Sequence, residues 1–242
     1  MRLSHLLLAA LLALAGPARA ADNTLERVLE LSGVKLLCEQ TAPLLQRGMQ
    51  AEQQKALGQA FAAAPLCRDL AAKVATQVKR EQLDAALKLL DSPLARHFTA
   101  AERAVGEDGG LPAYRQQLQE RPPLGKRLEL VQRLDKAAHT TELATLLRYE
   151  VGKTQALLAL RARGGDLDEK SLAEQTAAQL PPLRESSAKG IEAFMLYAYR
   201  QTPSEQLAEY AALYEQAPLR AVLEASAQAL PEVFAARRAK LK

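Results

Sequence analysis

The period of the apolar residues constrains this chain most. Leu83, Leu87 and Leu90 recur at spacings of four and three, and Leu94, Phe98, Ala101 and Val105 continue the rhythm beyond Pro93. Leu124, Leu128, Val131 and Leu134 form a further stripe, and Leu143, Leu147, Val151 and Leu158 another. Such spacing lines one face of an α-helix, whereas a strand would need strict alternation. Ala, Leu, Glu, Gln, Lys and Arg dominate, all good helix formers, and the strand-favouring Val and Ile are few. The pattern predicts an all-α protein, an antiparallel multi-helix bundle or array. With 242 residues, 48% of them hydrophobic, there is material for one large core or two small ones.

Proline punctuates the helices. Six of the twelve prolines precede leucine: Pro43, Pro65, Pro93, Pro123, Pro182 and Pro218. Proline suits the first turn of a helix and pushes the residue before it out of the α region. Each Pro-Leu pair therefore predicts a corner, with the leucine returning to the core. Thr202-Pro203-Ser204-Glu205 predicts a helix start with Thr202 as its cap, and Asp166-Leu167-Asp168-Glu169 another. Loops are expected near 106–110 and 164–166, where glycines cluster. Glu81-Gln82-Leu83 leading to Pro93-Leu94 is echoed by Glu205-Gln206-Leu207 leading to Pro218-Leu219, with a one-residue slip. That is a candidate weak internal duplication, giving two similar helical halves.

Residues 1–20 read as a signal peptide. Arg2 precedes an apolar run from Leu6 to Ala15, Pro17 ends it, and Ala18-Arg19-Ala20 offers a cleavage site between Ala20 and Ala21. The run is about half of what a membrane span needs. The domain expectation is thus a signal peptide at 1–20 and a helical domain at 21–242, periplasmic, with no transmembrane segment in the mature chain. Removing Arg2 and Arg19 from the 32 basic residues leaves a balance of +2 against 28 acidic ones. Charges of both signs alternate along the helices, which argues against nucleic acid as a partner. The basic tail Arg237-Arg238-Ala239-Lys240-Leu241-Lys242 reads as complement to a helix dipole.

Leu89-Leu90-Asp91-Ser92-Pro93-Leu94-Ala95-Arg96-His97-Phe98-Thr99-Ala100-Ala101-Glu102 resembles the signature of the DUF2059 family of exported bacterial helical proteins of unknown function. In that family an acidic helix leads to a Ser-Pro-Leu-Gly corner; Ala95 stands where glycine is usual, and Arg220 likewise in the second copy. Leu29-Glu30-Leu31-Ser32-Gly33-Val34 resembles the opening of such proteins. The resemblance covers about a third of the mature chain. It implies an exported helical protein and supplies no activity.

No catalytic motif emerges. The mature chain has two histidines, His97 beside Phe98 and His139 one turn before Glu142, half of a metal set at most, since zinc needs three or four ligands. Nucleophile elbows, zinc-protease helices and phosphate-binding glycine loops are missing from the sequence, so no catalytic, cofactor-binding or metal residue is assigned and no cofactor is expected. Asp166, Asp168 and Glu169 read as a capped acidic first turn rather than a calcium loop. Tyr197, Tyr199, Tyr210 and Tyr214 are read as a packing seam, with a ligand-lining role as the minority view. Cys38 and Cys67, an even pair in an exported chain, are expected to form a disulfide. The functional expectation is interaction or scaffolding in the cell envelope, with an envelope protein as partner and no catalysis. The alternatives are a helical binding protein for an apolar ligand such as lipid, and an envelope hydrolase.

Overall fold

The computed structural model describes residues 16–123 and 125–241. Most of the expected signal segment lies outside them; Ala20 and Ala21 fall within the first helix. The described residues form an all-α array without strands. In chain order the helices are α1 (Gly16–Leu31), α2 (Val34–Gln46), α3 (Ala51–Ala60), α4 (Ala63–Ala75), α5 (Arg80–Leu90), α6 (Pro93–Asp108) and α7 (Leu111–Glu120). They continue as α8 (Gly125–Ala138), α9 (Thr140–Arg161), α10 (Glu169–Thr176), α11 (Leu180–Ala198), α12 (Ser204–Tyr214) and α13 (Ala217–Arg238), with a 3-10 turn at Ala177–Gln179. No described helix is long and apolar enough to cross a membrane.

The helix contacts fall into two similar six-helix sets, α1–α6 and α8–α13, linked by α7, although α13 also packs on α9 without a like contact between α6 and α2. Within the first unit α1 packs on α2, α4 and α5, while α2 packs on α3 and α4; in the second, α8 packs on α9, α11 and α12, while α9 packs on α10 and α11. Between units the contacts are reciprocal: α4 and α5 meet α13, as α11 and α12 meet α6, and α2 meets its counterpart α9. The likeness seen around two proline corners thus has a counterpart in how most of the helices pack. It also needs no slip. Both α5 and α12 have 11 residues, and both are followed by two linking residues, Asp91-Ser92 and Glu215-Gln216. Pro93 opens α6 while Pro218 is the second residue of α13, and either place in the first turn tolerates a missing N–H.

Earlier in the units the offset is shorter, 131−25=106 residues against 207−83=124, because α9 and its following segment are longer than their first-unit counterparts. Leu25 and Val28 of α1 correspond to Val131 and Leu134 of α8, and all four are buried. The turn after α1 is made by Gly33 at φ 79°, and the turn after α8 by His139 at φ 53°. Glycine enters this left-handed region freely, whereas a side chain there is strained. His139 is the only non-glycine with positive φ among the described residues. Asp135 braces its turn, accepting from the Thr141 amide at 2.8 Å and the Thr141 hydroxyl at 2.7 Å.

Several expected corners fall differently. Pro43 lies inside α2, close to its end, where only one backbone bond of the last turns is forfeited. Pro65 and Pro182 sit in the first turns of α4 and α11, and Pro123 in the link before α8. Pro203, not Thr202, occupies the cap position of α12, because Thr202 is drawn into the core. Asp168 caps α10 as expected, accepting from the Ser171 amide at 2.7 Å. Gly109-Gly110 separates α6 from α7, while residues 164–166 fall inside the second unit, between α9 and α10.

Candidate functional site

Apart from buried threonines and serines such as Thr41 and Ser226, the core of the described residues departs from apolar packing in two places, both in or against the second unit. At the interface of α6 with α11 and α12, Phe98 stacks on Tyr210 with centroids 4.0 Å apart and meets Tyr199 edge-on at 5.0 Å. The Tyr199 hydroxyl donates to Glu102 at 2.6 Å, and Tyr210 and Tyr214 meet edge-on. All three tyrosines are buried, so three of the four expected in a packing seam form one, with Glu102 added to it, while Tyr197 packs on Tyr114 instead. At the equivalent positions on α5, Ala86 and Leu90 stand in place of Tyr210 and Tyr214, and on α13 Ser226 stands in place of Glu102. Burial pushes the Glu102 carboxyl above the ordinary carboxylate value, against the hydroxyls of Tyr199 and Tyr210 and the charge of Arg103, which hold it down.

This raised value has a consequence for stability. A carboxyl easier to protonate in the fold than in the unfolded chain contributes most below its ordinary value of 4.5 and less as pH rises through the folded one. Glu102→Gln keeps an acceptor for Tyr199 and removes the charge. It should therefore stabilise the protein at pH 7 and give little gain at pH 4, as read by urea melts at the two pH values. An equal effect at both would show that Glu102 is not burdened by burial.

The second polar place joins α9, α10 and α13. Glu150, Lys153 and Arg238 are each less than 5% exposed. Arg238 pairs with Glu150 at 2.5 Å and with Glu169 at 2.6 Å, while Lys153 reaches Glu169 at 2.5 Å and Glu150 at 3.3 Å. Two cations meet two carboxylates. Arg238 also donates to Thr154 and to the Glu150 carbonyl. The neighbouring Arg237 bonds the Ala60 carbonyl at 2.7 Å and pairs with Asp69 of α4. The basic tail is thus partly a set of tertiary ties, and the dipole reading understated it. Glu169, expected only as a first-turn acid, is one of the network's two carboxylates.

Other sequence-marked residues are scattered. His97 is exposed, with its ring against Phe98, so the buried face belongs to Phe98 alone. His139 Nδ1 lies 2.6 Å from Glu142, in a cleft of about 200 Å3 completed by Leu146, Glu224, Ala227 and Gln228. That pair is local to one helical turn, and Glu142 is open to solvent. Among the described residues no group of three His, Cys, Asp or Glu could hold a metal ion. Cys38 and Cys67 are brought together by the packing of α2 on α4. Interaction with Cys67, and then burial, pushes the Cys38 thiol up, while interaction with Cys38 pulls the Cys67 thiol down; Cys67 Sγ itself donates to the Lys35 carbonyl at 3.8 Å. Both are free thiols, and the expected disulfide is not formed in this structure. Helix packing supplies the approach; forming the bond needs an oxidant.

A second cleft, of about 480 Å3, opens at the corner between α12 and α13 and is floored by α8. Its lining is Gln132, Arg133, Lys136, Ala137, Glu215 and Arg220. Arg133 grips Glu215 through two bonds of 2.7 and 2.6 Å, which holds the Glu215 carboxyl below the usual carboxylate range. Lys136 and Arg220 are exposed. We take this cleft as the candidate site. Sequence reasoning missed it because Lys136 and Arg220 lie 220−136=84 residues apart in the chain; only alignment of the two units could have exposed it. No family model, no curated protein and no solved structure matches this chain.

Proposed function

We propose that this chain is an exported envelope protein that acts by binding, as an interaction or scaffolding element, and not by catalysis. The observation that carries this reading is how its charges are disposed. Glu150, Glu169, Lys153 and Arg238 are matched to one another inside the fold, whereas the exposed Lys136 and Arg220 line one surface cleft beside the Arg133–Glu215 pair. Neither cleft favours the apolar-ligand alternative, since both linings carry charged side chains. Export rests on the leader-like residues 1–20 and on the resemblance to the DUF2059 family. In an oxidising compartment the facing thiols Cys38 and Cys67 would close into a disulfide.

Envelope fractionation with intact-mass analysis tests the address. Mature protein should begin at Ala21 and resist alkylation at Cys38 and Cys67 when denatured without reductant. Cytosolic protein retaining Met1, or two alkylated thiols in the envelope fraction, would defeat the respective parts. For the binding role, a photo-reactive residue in place of Gln132 should yield discrete adducts in intact cells that the same residue at Lys55 does not. Identical patterns from the two positions would remove the cleft from the function.

A further inference from the structure

We infer that the cleft at the α12–α13 corner is a site for a doubly charged phosphoryl group, free or carried on a larger molecule; this rests on the binding reading above. The internal repeat supplies the comparison. In the first unit the corner carries Arg27, Glu30, Asp91 and Arg96, and these neutralise one another in two pairs, Arg27 with Glu30 at 3.1 Å and Arg96 with Asp91 at 3.1 Å. The equivalent positions of the second unit are Arg133, Lys136, Glu215 and Arg220. Lysine replaces the glutamate, so Arg133 turns to the corner carboxylate instead, and that leaves Arg220 without its acid. One charge reversal at an equivalent position converts a neutral corner into one with two excess positive charges.

Those charges surround a concavity. Lys136 and Arg220 line the same cleft, with Arg133 between them and the acid. Its volume lies within the range of small-ligand sites. A second acid, Glu192 of α11, accepts from Gln132 at 3.2 Å and keeps its charge, but it is not among the residues that line the cleft. Planar guanidinium and point-charge ammonium are the two groups that recognise phosphate oxygens, the first through paired bonds. A dianion matches the surplus charge. A monocarboxylate would leave half of it unanswered.

The test is titration of the full chain with inorganic pyrophosphate and, separately, with vesicles of phosphatidylcholine alone or containing phosphatidic acid. Amide resonances of α8 and the start of α13 should shift with pyrophosphate, and affinity should fall at least tenfold in Lys136→Gln/Arg220→Gln. Lys55→Gln/Lys88→Gln, on exposed positions of the first unit, should bind as the parent does. Binding to pyrophosphate alone would identify a soluble source, and stronger binding to phosphatidic-acid vesicles a lipid one; both support the site. No saturable shift with any probe, unchanged affinity in the Lys136/Arg220 pair, or tighter binding of polyglutamate than of pyrophosphate would overturn it. None of those outcomes touches export, which the fractionation decides, or the binding role, which the photo-reactive residue at Gln132 decides.

Discussion

Arg238→Met should destabilise the protein by about 3–5 kcal/mol, because it leaves a buried carboxylate short of its partner. Arg238 is 2% exposed and lies against Glu150, which is 1% exposed. With the guanidinium gone, Lys153 alone would face both Glu150 and Glu169, and the cluster would hold a net negative charge with Glu150 and Lys153 shut away from water and Glu169 at its open edge. The loss should be largely recovered in Arg238→Met/Glu150→Gln, where no unmatched charge remains. Urea denaturation of the two single variants and the pair gives the coupling directly. If the double variant is no more stable than Arg238→Met, the cost lies in lost packing of the arginine stem, and the charge account fails.

Phe98→Ala should cost about 3–5 kcal/mol, the range for emptying a buried aromatic position. Phe98 is fully buried, stacked on Tyr210 and edge-on to Tyr199. The rings around it are held by the Tyr199–Glu102 bond, so the surroundings have little freedom to collapse into the space. Its counterpart in the other unit is Val222, also fully buried. Val222→Ala removes fewer atoms and should cost less. Thermal and denaturant melts of both variants check the order. Equal losses would mean that the aromatic cluster adds nothing beyond ordinary burial.

The two repeats show why some features could be read from the chain and others could not. Leu83, Leu87 and Leu90 lie on one face of α5 because a 3.6-residue helix must place them there, and the prediction needed no knowledge of what packs against it. Pro93 and Pro218 mark helix starts for an equally local reason. Pro43 does not, because it lies inside α2, where the packing of its neighbours outweighs the cost of its missing N–H. Tyr210 and Tyr214 were correctly placed on a common buried face, but Glu102 could not be joined to them, being nearly a hundred residues away from Tyr199. The same limit hid the network of Glu150, Lys153, Glu169 and Arg238. In sequence, each looks like any solvated charge on a helix.

What the residues determined by themselves is the class of the protein: an all-α chain, its helices cut by proline and glycine, with no motif for metal, phosphate-loop or triad chemistry. Those properties depend on backbone preferences and on periodicity within a single helix. What the tertiary structure decided is pairing. It gave a two-helix echo a counterpart in how most of the helices pack, brought Cys38 to Cys67, and buried Arg238 among acids. It also set Lys136 beside Arg220 while giving Arg133 to Glu215. Charges interact through space, over a few ångströms, and their partners come from helices far apart along the chain. No local pattern can announce which cation will find its acid and which will be left facing water.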